Sequence, residues 1–183
     1  MAGFVAAAAP EAVVGLNEIK AEARIATSDE DALIAGLVRS ATDLCERFTA
    51  TLLLARDVEE MLPAAMGWTR LGAAPVRAIE GVTMIGANGV ETVLPADSFA
   101  IDIDAAGEGW VRLKAAQAET RMKVRYVAGL ANDPNGVPEA LRRGIARLAV
   151  HGLARSDGDA PPPAAVTALW RPWRRLRLGA ERR

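Results

Sequence analysis

One cysteine, one histidine and few aromatic residues (four Trp, three Phe, one Tyr) in 183 positions close off several kinds of protein at once. The single Cys45 excludes an intramolecular disulfide and suits a reducing compartment. It falls on the apolar stripe of a helical pattern, where it reads as a buried, inert thiol. His151, the lone histidine, sits between Val150 and Gly152. It has no partners from which to build a triad or a zinc set, so it reads as a helix-face or interface residue. Phosphate-cradling glycine loops, a serine elbow and zinc-ligand spacings are all missing. Asp102, Asp104, Gly107 and Glu108 lack the spacing of an EF-hand and read as a polar turn between strands. The expectation is a non-enzyme without catalytic residues, metal or cofactor. Long apolar runs are absent too, none approaching the ~20 residues that span a bilayer, so no membrane role is expected. The alanine-rich opening lacks a basic flank and is interrupted by Glu11, so it does not read as a secretion signal. A soluble protein, intracellular where it is made, is expected.

What the chain does have is a globular composition, 51% hydrophobic and 25% charged, and an uneven distribution of charge. From Pro161 onward there are six arginines against one acid, Glu181. The first 160 residues hold the other 16 basic residues and 22 acidic ones, so an acidic body carries a basic tail. Such a split fits assembly by charge complementarity.

Helical periodicity marks both ends of the body. Leu16, Ile19 and Ala23 share one side of a short helix. Ser28, with Asp31 three residues on, predicts a capped start. Ile34, Leu37, Val38, Ala41, Leu44, Cys45 and Phe48 then form a continuous stripe. Val137-Pro138-Glu139 opens a later helix whose stripe is Val137, Leu141, Ile145, Leu148 and Gly152. Between them the period falls to two. Residues 51–62 suit a strand, although 59–62 fit a helix equally well, and 76–85 and 90–94 flank an Asn88-Gly89 hairpin turn. Residues 99–103, 110–114 and 122–126 alternate as half-buried strands do. The fold class expected is α+β: a small helical bundle (helices within 16–48 and 137–155) with an antiparallel β-rich insertion over 51–128. Residues 1–160 form one domain in this reading, and 1–14 are a loosely ordered lead-in.

Residues 161–183 read as an extended C-terminal arm. Pro161-Pro162-Pro163 forms a stiff spacer. Beyond it Trp170, Arg171, Trp173, Arg174, Arg175 and Arg177 combine aromatic anchors with arginines, a pairing enriched at interfaces. These six are the candidate partner-binding residues. Composition leaves open whether the partner is protein or nucleic acid, so a small nucleic-acid-binding protein using the arginine-rich tail is the alternative reading. The acidic body opposes it.

The chain resembles the head–tail connector (adaptor) proteins of long-tailed phages and of phage-derived gene transfer agents. The resemblance rests on Leu16-Asn17-Glu18-Ile19-Lys20 with Ala23-Arg24-Ile25, then 29–48, and Pro75-Val76-Arg77-Ala78-Ile79 with Val82. It continues through Val124-Arg125-Tyr126-Val127-Ala128-Gly129, Val137-Pro138-Glu139-Ala140-Leu141 and Pro172-Trp173-Arg174-Arg175-Leu176-Arg177. Trp173 stands where the family would have tyrosine or phenylalanine, and Ala154-Arg155-Ser156 replaces a more polar closing run. The resemblance implies a structural subunit of the neck of a virion or phage-like particle, assembled in the bacterial cytoplasm. It implies a homo-oligomeric ring, commonly of twelve copies, between the portal protein and the stopper or tail-completion protein. Such a ring extends the DNA channel, through which DNA passes without sequence-specific binding, and the C-terminal arm engages the portal.

Overall fold

Helix α2 (Asp31–Thr49) is the longest element of the computed structural model, which describes residues 4–9, 11–117, 120–154 and 162–175. The described residues divide into two compact units: a helical one of 11–54 with 131–175, and a β-rich one of 4–9 with 55–130. Together they make an α+β fold of four helices and two antiparallel sheets.

The helical unit holds α1 (Leu16–Ala23), α2, α3 (Glu139–Leu153) and α4 (Ala164–Trp170). The inward stripe of α2 is Ile34, Val38, Ala41, Cys45 and Thr49, all buried. Leu44, expected on that stripe, is 38% exposed. It lies one position off the 34–38–41–45 row, and 100° per residue carries it to the flank. Facing α2, α3 buries Leu141, Gly144, Ile145, Ala146 and Ala149. Gly152 receives Leu37, whose Cδ2 lies only 2.8 Å from where a β-carbon would stand. The expected cap by Ser28 is not the one used. The Asp31 amide bonds the Ser28 carbonyl at 3.2 Å, while the Asp31 carboxylate accepts from Lys20 Nζ at 2.7 Å, tying α1 to the start of α2. At the other end Ala50 takes the left-handed conformation (φ 53°), and Glu46 Oε1 accepts the Leu53 amide at 2.9 Å.

Residues 51–54 are buried but make only an isolated bridge, Leu54 to Ala131, so the expected strand starts later. In the β-rich unit β1 (Phe4–Ala6), β2 (Arg56–Pro63), β4 (Val76–Ile85), β5 (Glu91–Val93) and β8 (Arg121–Ala128) form one sheet in the order β1-β2-β8-β4-β5. A second sheet orders β3 (Thr69–Arg70), β7 (Gly109–Leu113) and β6 (Phe99–Ile103) as β3-β7-β6. The lead-in is thus partly a strand, with Phe4 opposite Glu60. Central β8 shows the period of two: Met122, Val124, Tyr126 and Ala128 are buried while Arg121 and Arg125 are exposed. Asn88-Gly89 turns β4 into β5, with Gly89 at φ 80°, which glycine adopts at no steric cost.

A polar group lies inside this apolar sheet. Glu60, 2% exposed, accepts the Tyr126 hydroxyl at 2.9 Å and the Gly72 amide at 2.7 Å, both on Oε2. Tyr126 Oη in turn accepts the Ala73 amide at 3.0 Å. The network fixes the 72–73 turn to β2 and β8, a buried carboxylate made tolerable by its hydrogen bonds.

Candidate interaction surface

Of the C-terminal segment expected to run out as an extended arm, the described residues 162–175 pack on the helical unit instead. Pro163 precedes α4 at φ −54°, a value suited to a helix start, and α4 lies on α3. Trp170 is fully buried. Its indole N–H donates to the Leu141 carbonyl at 3.3 Å, and its ring meets Phe48 with centroids 6.0 Å apart and planes at 52°. Gly144 makes the notch that admits the ring: a β-carbon there would lie 2.1 Å from Nε1. A tryptophan read as an outward anchor is a core residue, because a glycine on the facing helix offers it a site within its own unit.

Past α4 the chain makes a short 3-10 turn, Arg171–Trp173, and Arg174 after it is extended. Arg171 and Arg174 are exposed, and Trp173 is 39% exposed. The Arg174 guanidinium stands 5.7 Å from the Phe48 ring centroid, within cation–π range. Arg175 is half-buried, with its amide donating to the Thr49 carbonyl at 2.9 Å. Arg177 lies outside the described residues. The structure therefore gathers Arg171, Trp173 and Arg174 at the C-terminal end of α2 and withdraws Trp170 from any outward role.

A second surface, unread in the sequence, lies on the β-rich unit. Between Arg77 and Arg112 the chain has no lysine or arginine and six acids, from Glu80 to Glu108. That run builds β5 and β6, each the outermost strand of its sheet. Val93 is 74% exposed, and β6 shows solvent on both faces, with Ile101, Asp102 and Ile103 all exposed. An edge strand wet on both faces with isoleucine on one of them presents apolar surface and unpaired backbone together. Glu91 is offset by Lys123, whose ammonium it holds above its ordinary pKa through bonds of 2.7 and 2.8 Å. The signal available in the sequence was the gap in basic residues. The 102–108 turn is closed by Asp104 Oδ1, which accepts the amides of Ala106 and Glu108.

Burial pushes the Cys45 thiol up from 9.0 to about 12, with the Glu46 carboxylate adding to the effect. The unfolded chain ionises this thiol above about pH 9 and the folded chain does not. Cys45 therefore favours the fold fully at neutral pH, and its contribution falls as pH rises from 9 towards 12. Replacing Cys45 by alanine is expected to flatten the alkaline decline of the denaturation midpoint relative to the parent chain. Identical declines would contradict the burial argument.

No protein-family model matches the chain, and no curated protein matches it by sequence. Solved structures do, over 100% of this chain and 100% of each matched chain. One match is a chain of the neck of an empty gene transfer agent particle computed with C6 symmetry, at 25% identity and a TM-score of 0.81. Another belongs to the virion of a native gene transfer agent particle, at 26% identity and 0.77. A third comes from the neck of a native particle computed with C12 symmetry, at 25% identity and 0.70. The chain is therefore similar over its full length to chains of gene transfer agent particles, two of them described as neck structures.

Proposed function

We propose that this chain is a structural, non-enzymatic component of the neck of a gene transfer agent particle, and within it the head–tail adaptor. Its role is to form a homo-oligomeric ring between the portal and the stopper or tail-completion protein, extending the channel through which DNA passes. The observation that carries the reading is the match along the whole chain in both directions, at a TM-score of up to 0.81. A shared fold alone does not specify function; here it is joined by the neck descriptions of two of the matched chains. Twelve copies satisfy both the C6 and the C12 symmetry of those particles. Of the residues expected to reach the portal, Arg171, Trp173 and Arg174 keep accessible side chains, whereas Trp170 serves its own core.

Deleting the gene in the cell that makes the particles is expected to leave DNA-filled heads without tails, counted by negative-stain electron microscopy. Tailed particles at their usual number would refute the reading.

A further inference from the structure

We infer that the outer face of the β3-β7-β6 sheet is a docking site for an acidic segment of a partner protein. It rests on the neck reading only for where the partner comes from, and it leaves the C-terminal end to the portal.

Register brings the residues together. Along β7 Val111 and Leu113 are buried, while Arg112 and Lys114 are exposed on the opposite face. On that outer face Trp110 stands between Arg70 of β3 and Asp102 of β6. One row on, Arg112 stands opposite Ala100, and its guanidinium lies over the Trp68 ring, 4.9 Å from the centroid. The ladder continues with the Lys114 amide donating to the Ser98 carbonyl at 3.0 Å. Trp68 is 40% exposed, and Met66, two residues before it, 56%. Tryptophan, methionine and arginine are residue types enriched where proteins meet.

Charge selects the partner. Arg70 is answered by Glu108 at 3.9 Å, and Asp97 takes the Ser98 hydroxyl rather than Lys114. Among the described residues no acid pairs with Arg112 or Lys114. Asp102 stands a row away beside Trp110, so the end of the face that holds Trp68 is positive. Stacking on Trp68 holds the Arg112 guanidinium in place and leaves its N–H edge for a carboxylate. A phosphate would satisfy those donors too, but a DNA backbone would leave Met66 and Trp68 uncovered. A peptide that carries acids beside apolar side chains covers both.

The test uses assembled particles in which Met66 is replaced by the photo-crosslinking residue benzoylphenylalanine. Irradiation is expected to join this chain to a different particle protein, within a segment that mass spectrometry shows to be rich in Asp and Glu. Arg112 and Lys114 are exposed, so Arg112→Glu and Lys114→Glu should leave the denaturation midpoint unchanged. Each should nonetheless lower the adduct at least about tenfold, because like charges then face each other. Arg112→Lys keeps the charge without the planar fork and should fall between. An adduct with DNA, with a second copy of this chain or with a segment without acids would overturn the inference. So would no adduct, or one that survives both charge reversals. Each of those results leaves the chain in the particle and the neck reading standing, whereas particles without the chain would overturn both.

Discussion

Trp170→Ala is expected to destabilise the helical unit by about 3–5 kcal/mol, the range for emptying a large aromatic site in a packed core. The side chain is fully buried, and its loss opens a void bounded by Gly144, Leu141 and Phe48. The Leu141 carbonyl also loses the indole donor. The companion change at Gly144 should reverse sign with context. In the parent chain Gly144→Ala places a β-carbon 2.1 Å from Trp170 Nε1, so the ring must leave its notch. The ~1 kcal/mol that alanine gains over glycine in a helix does not offset that clash. In the Trp170→Ala background the clash is gone, and Gly144→Ala should stabilise by up to about 1 kcal/mol. Urea denaturation midpoints of the two single variants and the double variant would show this. Additive effects would mean that α4 does not dock on α3.

Glu60→Ala is expected to cost the β-rich unit about 3 kcal/mol or more. Truncation removes the acceptor of two donors, the buried Tyr126 hydroxyl and the half-buried Gly72 amide, at roughly 1–3 kcal/mol for each that is left unmade in the interior. Both donors converge on a single oxygen, Oε2. Glu60→Gln can present its amide oxygen there, and so should lose only the charge-assisted part of the two bonds. Tyr126→Phe should fall between, since it leaves the Ala73 amide without its acceptor and removes one donor to Glu60. The order Ala worst, Phe intermediate, Gln mildest is the expected result in chemical denaturation. Equal midpoints for Ala and Gln would show that the network contributes nothing.

These two sites also mark where sequence reading stopped. The α2 row of Ile34, Val38, Ala41 and Cys45 and the β8 alternation of Met122, Val124 and Tyr126 were legible, because burial on one face imposes its period on the residues. The Asn88-Gly89 turn was legible for a local reason, the conformation its glycine permits. Trp170 was misread because tryptophan beside proline and arginine has the same composition whether it anchors a partner or its own core. The fact that decides is Gly144, 26 positions earlier, which faces Trp170 only once α4 folds back on α3. Glu60 was hidden by the opposite problem: in Val58-Glu59-Glu60 nothing local says which glutamate points inward, and only the register against Tyr126 and Val124 settles it. Strand β1 has three residues, too few to show a period, and exists through its pairing with β2. Of the candidate surface, the arginines were visible as composition. The gap in basic residues between Arg77 and Arg112 was visible as composition too, but not that it supplies β5 and β6, the outermost strands of two different sheets.

Position in the particle is the central matter, and cryo-electron microscopy of particles released by cells encoding this chain measures it. With a short peptide tag on the chain and a Fab bound to that tag, the neck assignment predicts Fab density in a ring at the head–tail junction, coaxial with the DNA channel. Fab density over the capsid surface or at the tail tip, or purified particles that contain none of this chain, would contradict it.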